Sequence, residues 1–263
     1  MALTDNLLSY WKLDDNSNDA VGSNNGTDSN ISYAAAKINN GASFNGSSSK
    51  ITHSASGFPT GNAARSVNFW VKLNSTASGR QVFLYGTYSS GQVWCVMMSN
   101  SIFVQGYMLN ASGASSTVLS TGTWYMCTVT MDGSGNIAYY LNGSADGTAT
   151  IATLNTTASG GIIGNGWDGY FSGMVDEIGF WSRVLSSTEV SQLYNSGNGL
   201  PYPLSTTNQK KIGGVDRASI KKIGGVSLGS CKKIGALTKE YFDEEKGLWL
   251  PKKPQILVPY FNF

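Results

Sequence analysis

The side chains able to do chemistry are unevenly spread along the chain, and carboxylates come first. Glutamate occurs only at Glu177, Glu189, Glu240, Glu244 and Glu245. A retaining glycosidase needs two carboxyl groups about 5 Å apart. Asp176 and Glu177 are adjacent, so on a regular strand they point to opposite faces. The single histidine, His53, lies in a polar Thr-His-Ser context and reads as a surface residue. No nucleophile elbow and no zinc-ligand spacing is present. Catalysis is therefore not expected.

Binding chemistry is better represented. Residues Asp14–Asn30 (DDNSNDAVGSNNGTDSN) are dense in carboxylates and amides. Hard oxygen donors at irregular spacing suit Ca²⁺, although this is not an EF-hand pattern. The same residues also suit a set of Asx turns. Asp176 shares its expected strand face with Ile178 and Phe180, which read as core. A carboxylate there needs a cation or several hydrogen-bond donors. Aromatic residues with polar neighbours could bind sugars: Tyr85, Tyr88, Trp94, Tyr107, Trp167 and Tyr170. Among them Asn165-Gly-Trp-Asp-Gly-Tyr170 is the most site-like, with Trp167, Asp168 and Tyr170 as ligand-binding candidates. Core and rim packing is the competing reading.

The elements that position these residues are strands. Glycine is abundant, 32 of 263 residues, and charged residues make up only 13%, a composition for strands and turns rather than helices. In Ser66–Leu73, Val67, Phe69, Val71 and Leu73 alternate with Ser66, Asn68, Trp70 and Lys72. That is the period-two pattern of a half-buried strand. Gln92–Met98, Ile102–Met108 and Trp124–Met131 read likewise. Asp132–Asn136 and Asn142-Gly143 are turn sequences. One short helix is expected after Ser186-Ser-Thr-Glu189, which fits a capping box, with Gly197 and Gly199 ending it. Regular strands with turn punctuation indicate an all-β sandwich or jelly roll.

Several motifs, in order, carry a family resemblance: Leu8–Asp15, Asp19–Thr27, Gly41–Gly46, Ser66–Leu73, Trp124–Gly143, Gly173–Trp181, and Val184–Ser186 with its helix. Together they resemble the laminin-G-like, concanavalin-A-like lectin/glucanase jelly rolls over residues ~7–199. The resemblance implies a two-sheet antiparallel jelly roll used for binding and adhesion. It also implies a calcium held near the Asp-x-x-Gly loop and the closing strand, which by position falls to Asp19, Asn25 and Asp176. The Glu-x-Asp-x-Glu strand of related glucanases is absent here.

Beyond the jelly roll (1–200) the composition changes. Prolines at 201 and 203 open a linker to residue 209. Three near-copies of an 11-residue unit follow in 210–239, starting at Lys210-Lys-Ile-Gly, Lys221-Lys-Ile-Gly and Lys232-Lys-Ile-Gly. An aromatic, proline-broken arm ends the chain (240–263). The repeats resemble those ending some virion proteins of tailed bacteriophages. Their apolar positions, Ile212, Val215, Ile223, Val226, Ile234 and Leu237, are too few for a core and are read as an anchor on sister chains or other virion proteins. Residues 1–208 hold seven Lys/Arg against eleven Asp/Glu, and residues 209–263 hold eleven against five. The basic tail either meets an acidic surface or is simply solvated. Cys95, Cys127 and Cys231 are too few and odd in number for a disulfide framework, and read as free thiols of a reducing cytosol. The start lacks the pattern of a signal peptide, and no apolar run approaches ~18 residues.

The sequence thus predicts a non-enzymatic structural virion protein of a tailed phage, head or tail, made in the host cytoplasm. It would display a lectin-like domain toward host surface glycans and oligomerise in the assembly. Neither nucleic acid nor membrane is an expected partner. The alternative is a cell-surface or secreted carbohydrate-binding adhesin.

Overall fold

The computed structural model describes residues 1–76 and 79–205, and beyond these only the backbone of short strand pairs. The chain divides into two compact units, Met1–Thr206 and Thr207–Phe263.

The first unit runs β1 (Leu7–Trp11), β2 (Gly26–Ser29), β3 (Ser32–Ala35), β4 (Asn40–Asn45), β5 (Lys50–His53), β6 (Arg65–Leu73) and β7 (Arg80–Gly86). It continues with β8 (Val93–Met98), β9 (Ile102–Gly106), β10 (Leu109–Ala114), β11 (Trp124–Met131), β12 (Asn136–Leu141) and β13 (Ser144–Thr150). It closes with β14 (Gly161–Ile163), β15 (Asn165–Gly166), β16 (Gly169–Tyr170), β17 (Ser172–Trp181) and helix α1 (Ser187–Tyr194). One antiparallel sheet has the order β13-β12-β11-β6-β17-β4-β3, with β1 also on β17, and the other β10-β9-β8-β7-β14-β5-β2. This is the expected jelly-roll sandwich. Asn142 and Gly143 both take positive φ (49° and 82°), as a two-residue hairpin turn between β12 and β13 requires.

The main core lies between the sheets. Alternation along β6 sends Val67, Phe69, Val71 and Leu73 into it, as the sequence predicts. Phe180 stacks on Phe58 at 4.2 Å and on Phe83 at 5.5 Å. Each buried aromatic contributes on the order of 3–5 kcal/mol against truncation to Ala.

The other face of β6 departs from the half-buried expectation. Trp70, Asn68 and Ser66 are also buried. Helix α1 and the two ends of this unit cover that face in a second apolar layer, where Trp70 and Met126 meet Leu3, Leu185, Val190, Leu193, Leu200 and Leu204. The predicted capping box holds α1: Ser186 and Glu189 cap each other reciprocally. Glu189 also takes a bidentate ion pair from Arg183. Residues read as the start of a linker belong to this layer, with Leu204 buried and Tyr202 against Tyr10 at 5.4 Å.

His53 corrects another expectation. It is buried, stacked on Phe83 and tilted against Trp11, and burial pushes its pKa down to about 4. Cys95 and Cys127 are buried free thiols. Cys231 lies outside the described residues.

In the second unit the repeats contain short antiparallel pairs, Lys211–Ile212 with Val215–Asp216 and Lys222–Ile223 with Val226–Ser227. Tyr241–Asp243 pairs with Leu248–Leu250. The third repeat, with Ile234 and Leu237, lies outside the described residues, as do the side chains of Ile212, Val215, Ile223 and Val226. Among the described residues no helix is long and apolar enough to cross a membrane.

Candidate functional site

The ligand-binding candidates lie on the outer face of the β7–β8–β9 side of the sandwich. There Leu84, Val93, Cys95 and Met97 form a small apolar floor. The hairpin of β15 and β16 lies against β7 and lays Trp167 on this floor. Tyr88 comes from the loop after β7 and Tyr107 from the β9–β10 turn. The three rings meet nearly at right angles: Tyr107–Trp167 at 5.4 Å and 82°, Tyr88–Trp167 at 5.8 Å and 89°, Tyr88–Tyr107 at 5.9 Å and 87°. Trp167 and Tyr107 are half-buried and Tyr88 is 45% exposed. Met108, at the tip of the turn with φ +62°, is 78% exposed.

Polar groups surround the rings. Gln81 Nε2 donates to Asp168 Oδ2 at 2.7 Å, and Gln105 Nε2 donates to Asn110 Oδ1 at 2.6 Å. Gln81 is buried although it is polar. Its single strand position among apolar residues is the only sequence signal for it. Exposed Thr87 and Ser159 share hydroxyl contacts with half-buried Thr157 beside Tyr88.

The structure therefore brings Trp167 and Asp168 to one place with Tyr88 and Tyr107, and leaves the other candidates out. Tyr170 pairs with Asn165 across the hairpin and makes no ring contact with the trio. Tyr85 and Trp94 are fully buried in the main core, where Tyr85 holds the buried Arg65 guanidinium through its hydroxyl, so neither can meet a ligand.

Of the calcium candidates, Asp19 and Asn25 lie together in one loop. Asp19 Oδ1 accepts from the backbone N–H of Tyr10 (2.9 Å) and Val21 (3.0 Å), and Oδ2 from that of Asn24 (3.1 Å). Burial alone would raise its pKa, but these backbone donors outweigh it and hold the carboxyl below its usual range. Asn25 Oδ1 is taken by the Asp19 N–H. This is the Asx-turn reading of the loop: the side-chain oxygens serve the backbone. Among the described residues no three His, Cys, Asp or Glu side chains form a metal-ligand group.

Asp176 also sits differently from its expectation. A bulge between Asp176 and Gly179, with Glu177 at φ +51°, breaks the alternation of β17. Asp176 pairs with Trp70 and so leaves the core face of Ile178 and Phe180. Glu177 accepts from the Tyr10 hydroxyl in the same outer layer. The two carboxyls thus lie together and not on opposite faces. Asp176 Oδ1, Glu177 Oε1 and Asp14 Oδ1 are buried without a hydrogen-bond partner. Burial first, and then the neighbouring carboxylates, push Asp176 up to about 8 and Glu177 up to about 7. Both are sealed from solvent, with no approach for a glycosidic bond.

The family model described as Concanavalin A-like lectin/glucanases superfamily matches residues 44–191, more than half of the chain. The chain is similar in fold to domain 4 of AbnA, an extracellular arabinanase from Geobacillus stearothermophilus solved with arabinotriose. The TM-score is 0.59 at 22% identity, over 70% of this chain and 96% of that one. It is also similar to the binding domain of Paraclostridial Mosquitocidal Protein 1 (TM-score 0.60, 15% identity, 74% of this chain, 53% of that one). A structure of botulinum neurotoxin type C, described as entering cells through two ganglioside molecules, is a third (TM-score 0.56, 15% identity, 74% of this chain, 52% of that one). The chain spans about half the length of these two toxin structures. No curated protein matches the chain in sequence.

Proposed function

The chain belongs to the concanavalin A-like lectin/glucanases superfamily, and on that premise we propose that it is a non-enzymatic glycan-binding protein whose site is the Tyr88–Tyr107–Trp167 corner with Asp168. The carrying observation is the ring trio itself. Three partly exposed aromatic rings fixed on an apolar floor, with a carboxylate held beside them, match how sugars are bound: apolar ring faces against aromatics, hydroxyls on fixed polar groups. Arabinotriose in the AbnA domain and gangliosides for the type C neurotoxin support a sugar as ligand for this fold. The sealed Asp176–Glu177 pair supports binding without hydrolysis.

A glycan array probed with the full chain tests this reading. Trp167→Ala should lower affinity for any glycan bound by roughly ten-fold or more, equivalent to about 1.4 kcal/mol. Binding that survives Trp167→Ala and Tyr107→Ala together moves the site elsewhere.

The finer role we propose is a structural virion protein of a tailed phage, with the sandwich displayed and residues 209–263 as the anchor. The three Lys-Lys-Ile-Gly units and the basic balance of that segment support it, as do the short strand pairs in the first two units. Anchor contacts would involve Ile212, Val215, Ile223, Val226, Ile234 and Leu237. Particles that still carry a chain truncated at residue 208 at normal occupancy would refute the anchor and favour a cell-surface adhesin.

A further inference from the structure

We propose that the aromatic corner is selective for a cationic sugar, a glycan unit bearing an ammonium group, over its neutral or N-acylated counterpart. The inference rests on the glycan-binding reading above and adds the ligand class.

Shape comes first. Rings at 82–89° to one another cannot form the flat platform on which an extended neutral chain stacks; they make a corner. Aromatic faces carry negative quadrupole charge and attract ammonium groups, more strongly when water is excluded.

The polar groups then fix the sign of the charge. A carboxylate can only accept, so Asp168 dictates which end of the Gln81 amide faces it. The amide nitrogen is used, and Gln81 Oε1 remains buried with no partner. Cys95 pairs with Gln105 across the strands and lies in the floor beneath Trp167. Its thiol is held up by burial and then by the Asp168 charge. The exposed Asp168 carboxylate, held by the Gln81 amide next to Trp167, is thus the negative group at the corner. The tyrosine hydroxyls can serve either way.

Among the described residues Asp168 makes no ion pair. Asp168 is exposed, and the ion pairs among the described residues are Lys12–Asp14 and Arg183–Glu189. Arg80 lies beside Gly169, next to Asp168 at the turn of the hairpin, but donates to the Gly79 carbonyl and makes no ion pair with Asp168. An ammonium on a sugar ring would meet the exposed carboxylate while the ring's apolar face rests on an aromatic. An N-acetyl group or a plain hydroxyl would bring no charge to that carboxylate.

The test is calorimetric titration of the full chain with the glucosamine trimer, its N-acetylated counterpart and arabinotriose, below neutral pH. The glucosamine trimer should bind about ten-fold tighter than the acetylated one or more. Asp168→Asn, which keeps the shape and removes the charge, should bring the two affinities together. Trp167→Ala should remove both. Equal affinities in the unmodified protein, or a preference untouched by Asp168→Asn, would overturn the inference and leave the glycan-binding reading standing. Binding of arabinotriose alone would do the same. If none of the three binds and a broad glycan array is also silent, the glycan-binding reading falls with it.

Discussion

Asp176 and Glu177 show what single residues add to a fold that is otherwise ordinary. Alternation predicts that neighbours on a strand part company, yet the positive φ at Glu177 turns both carboxyls into one buried layer with Tyr10. Their folded pKa values, about 8 and about 7, lie above the ordinary 3.8 and 4.5. A carboxyl whose pKa is raised by folding stabilises the native state most below its unfolded value. That contribution is lost as pH rises through the folded value. The domain should therefore lose stability between about pH 4 and pH 8 through this pair. Asp176→Asn, which needs no proton, should flatten the loss. Thermal melts of both proteins across that range check it, and parallel pH profiles would show that the pair does not titrate there. Asp19 behaves in the opposite sense. Its saturation by backbone N–H groups was legible as one of two readings of the loop, and the sequence held nothing to choose between them.

At the scale of elements, legibility followed periodicity. Ser66–Leu73 and Trp124–Met131 appear almost as read, because period two and turn residues depend only on local sequence. What failed depended on distant chain. Trp70 was placed on a wet face because nothing local announced that α1 would cover it. Tyr85 and Trp94 looked like ligand aromatics because an aromatic on a strand does not reveal which sheet face is core. The Trp167 hairpin was legible as an aromatic loop, but its dependence on Gly166 was not. A Cβ at Gly166 would come within 2.5 Å of the Gln81 side chain, itself pinned by Asp168. Gly166→Ala should lift the hairpin from β7 and displace Trp167. Glycan affinity should then fall about as far as in Trp167→Ala, with a stability cost of about 1–3 kcal/mol. Binding and melting measured on one sample check this. Unchanged binding would mean that the hairpin does not position the ring.

For the whole molecule, the division of the chain is the point most open to direct test. Prolines at 201 and 203 suggested that the sandwich ends at residue 200 and a linker begins. The compact unit instead comprises Met1–Thr206, and its last residues fill a defined place. Leu200 and Leu204 are buried in the outer layer with Trp70, Leu193 and Trp181, and Tyr202 packs on Tyr10, whose hydroxyl serves Glu177. Burying two leucines and an aromatic contributes about 1.5–3 kcal/mol per side chain in area alone. A chain of residues 1–206 should therefore be soluble, β-rich and cooperative in melting. A chain of residues 1–199 should be less stable by several kcal/mol, roughly the sum for those side chains. It should also expose Trp70 and Tyr10, giving a red-shifted tryptophan emission. Denaturant melts of the two chains, read by fluorescence, decide between the boundaries. Equal midpoints would return the boundary to residue 200, and with it the linker reading of residues 201–209.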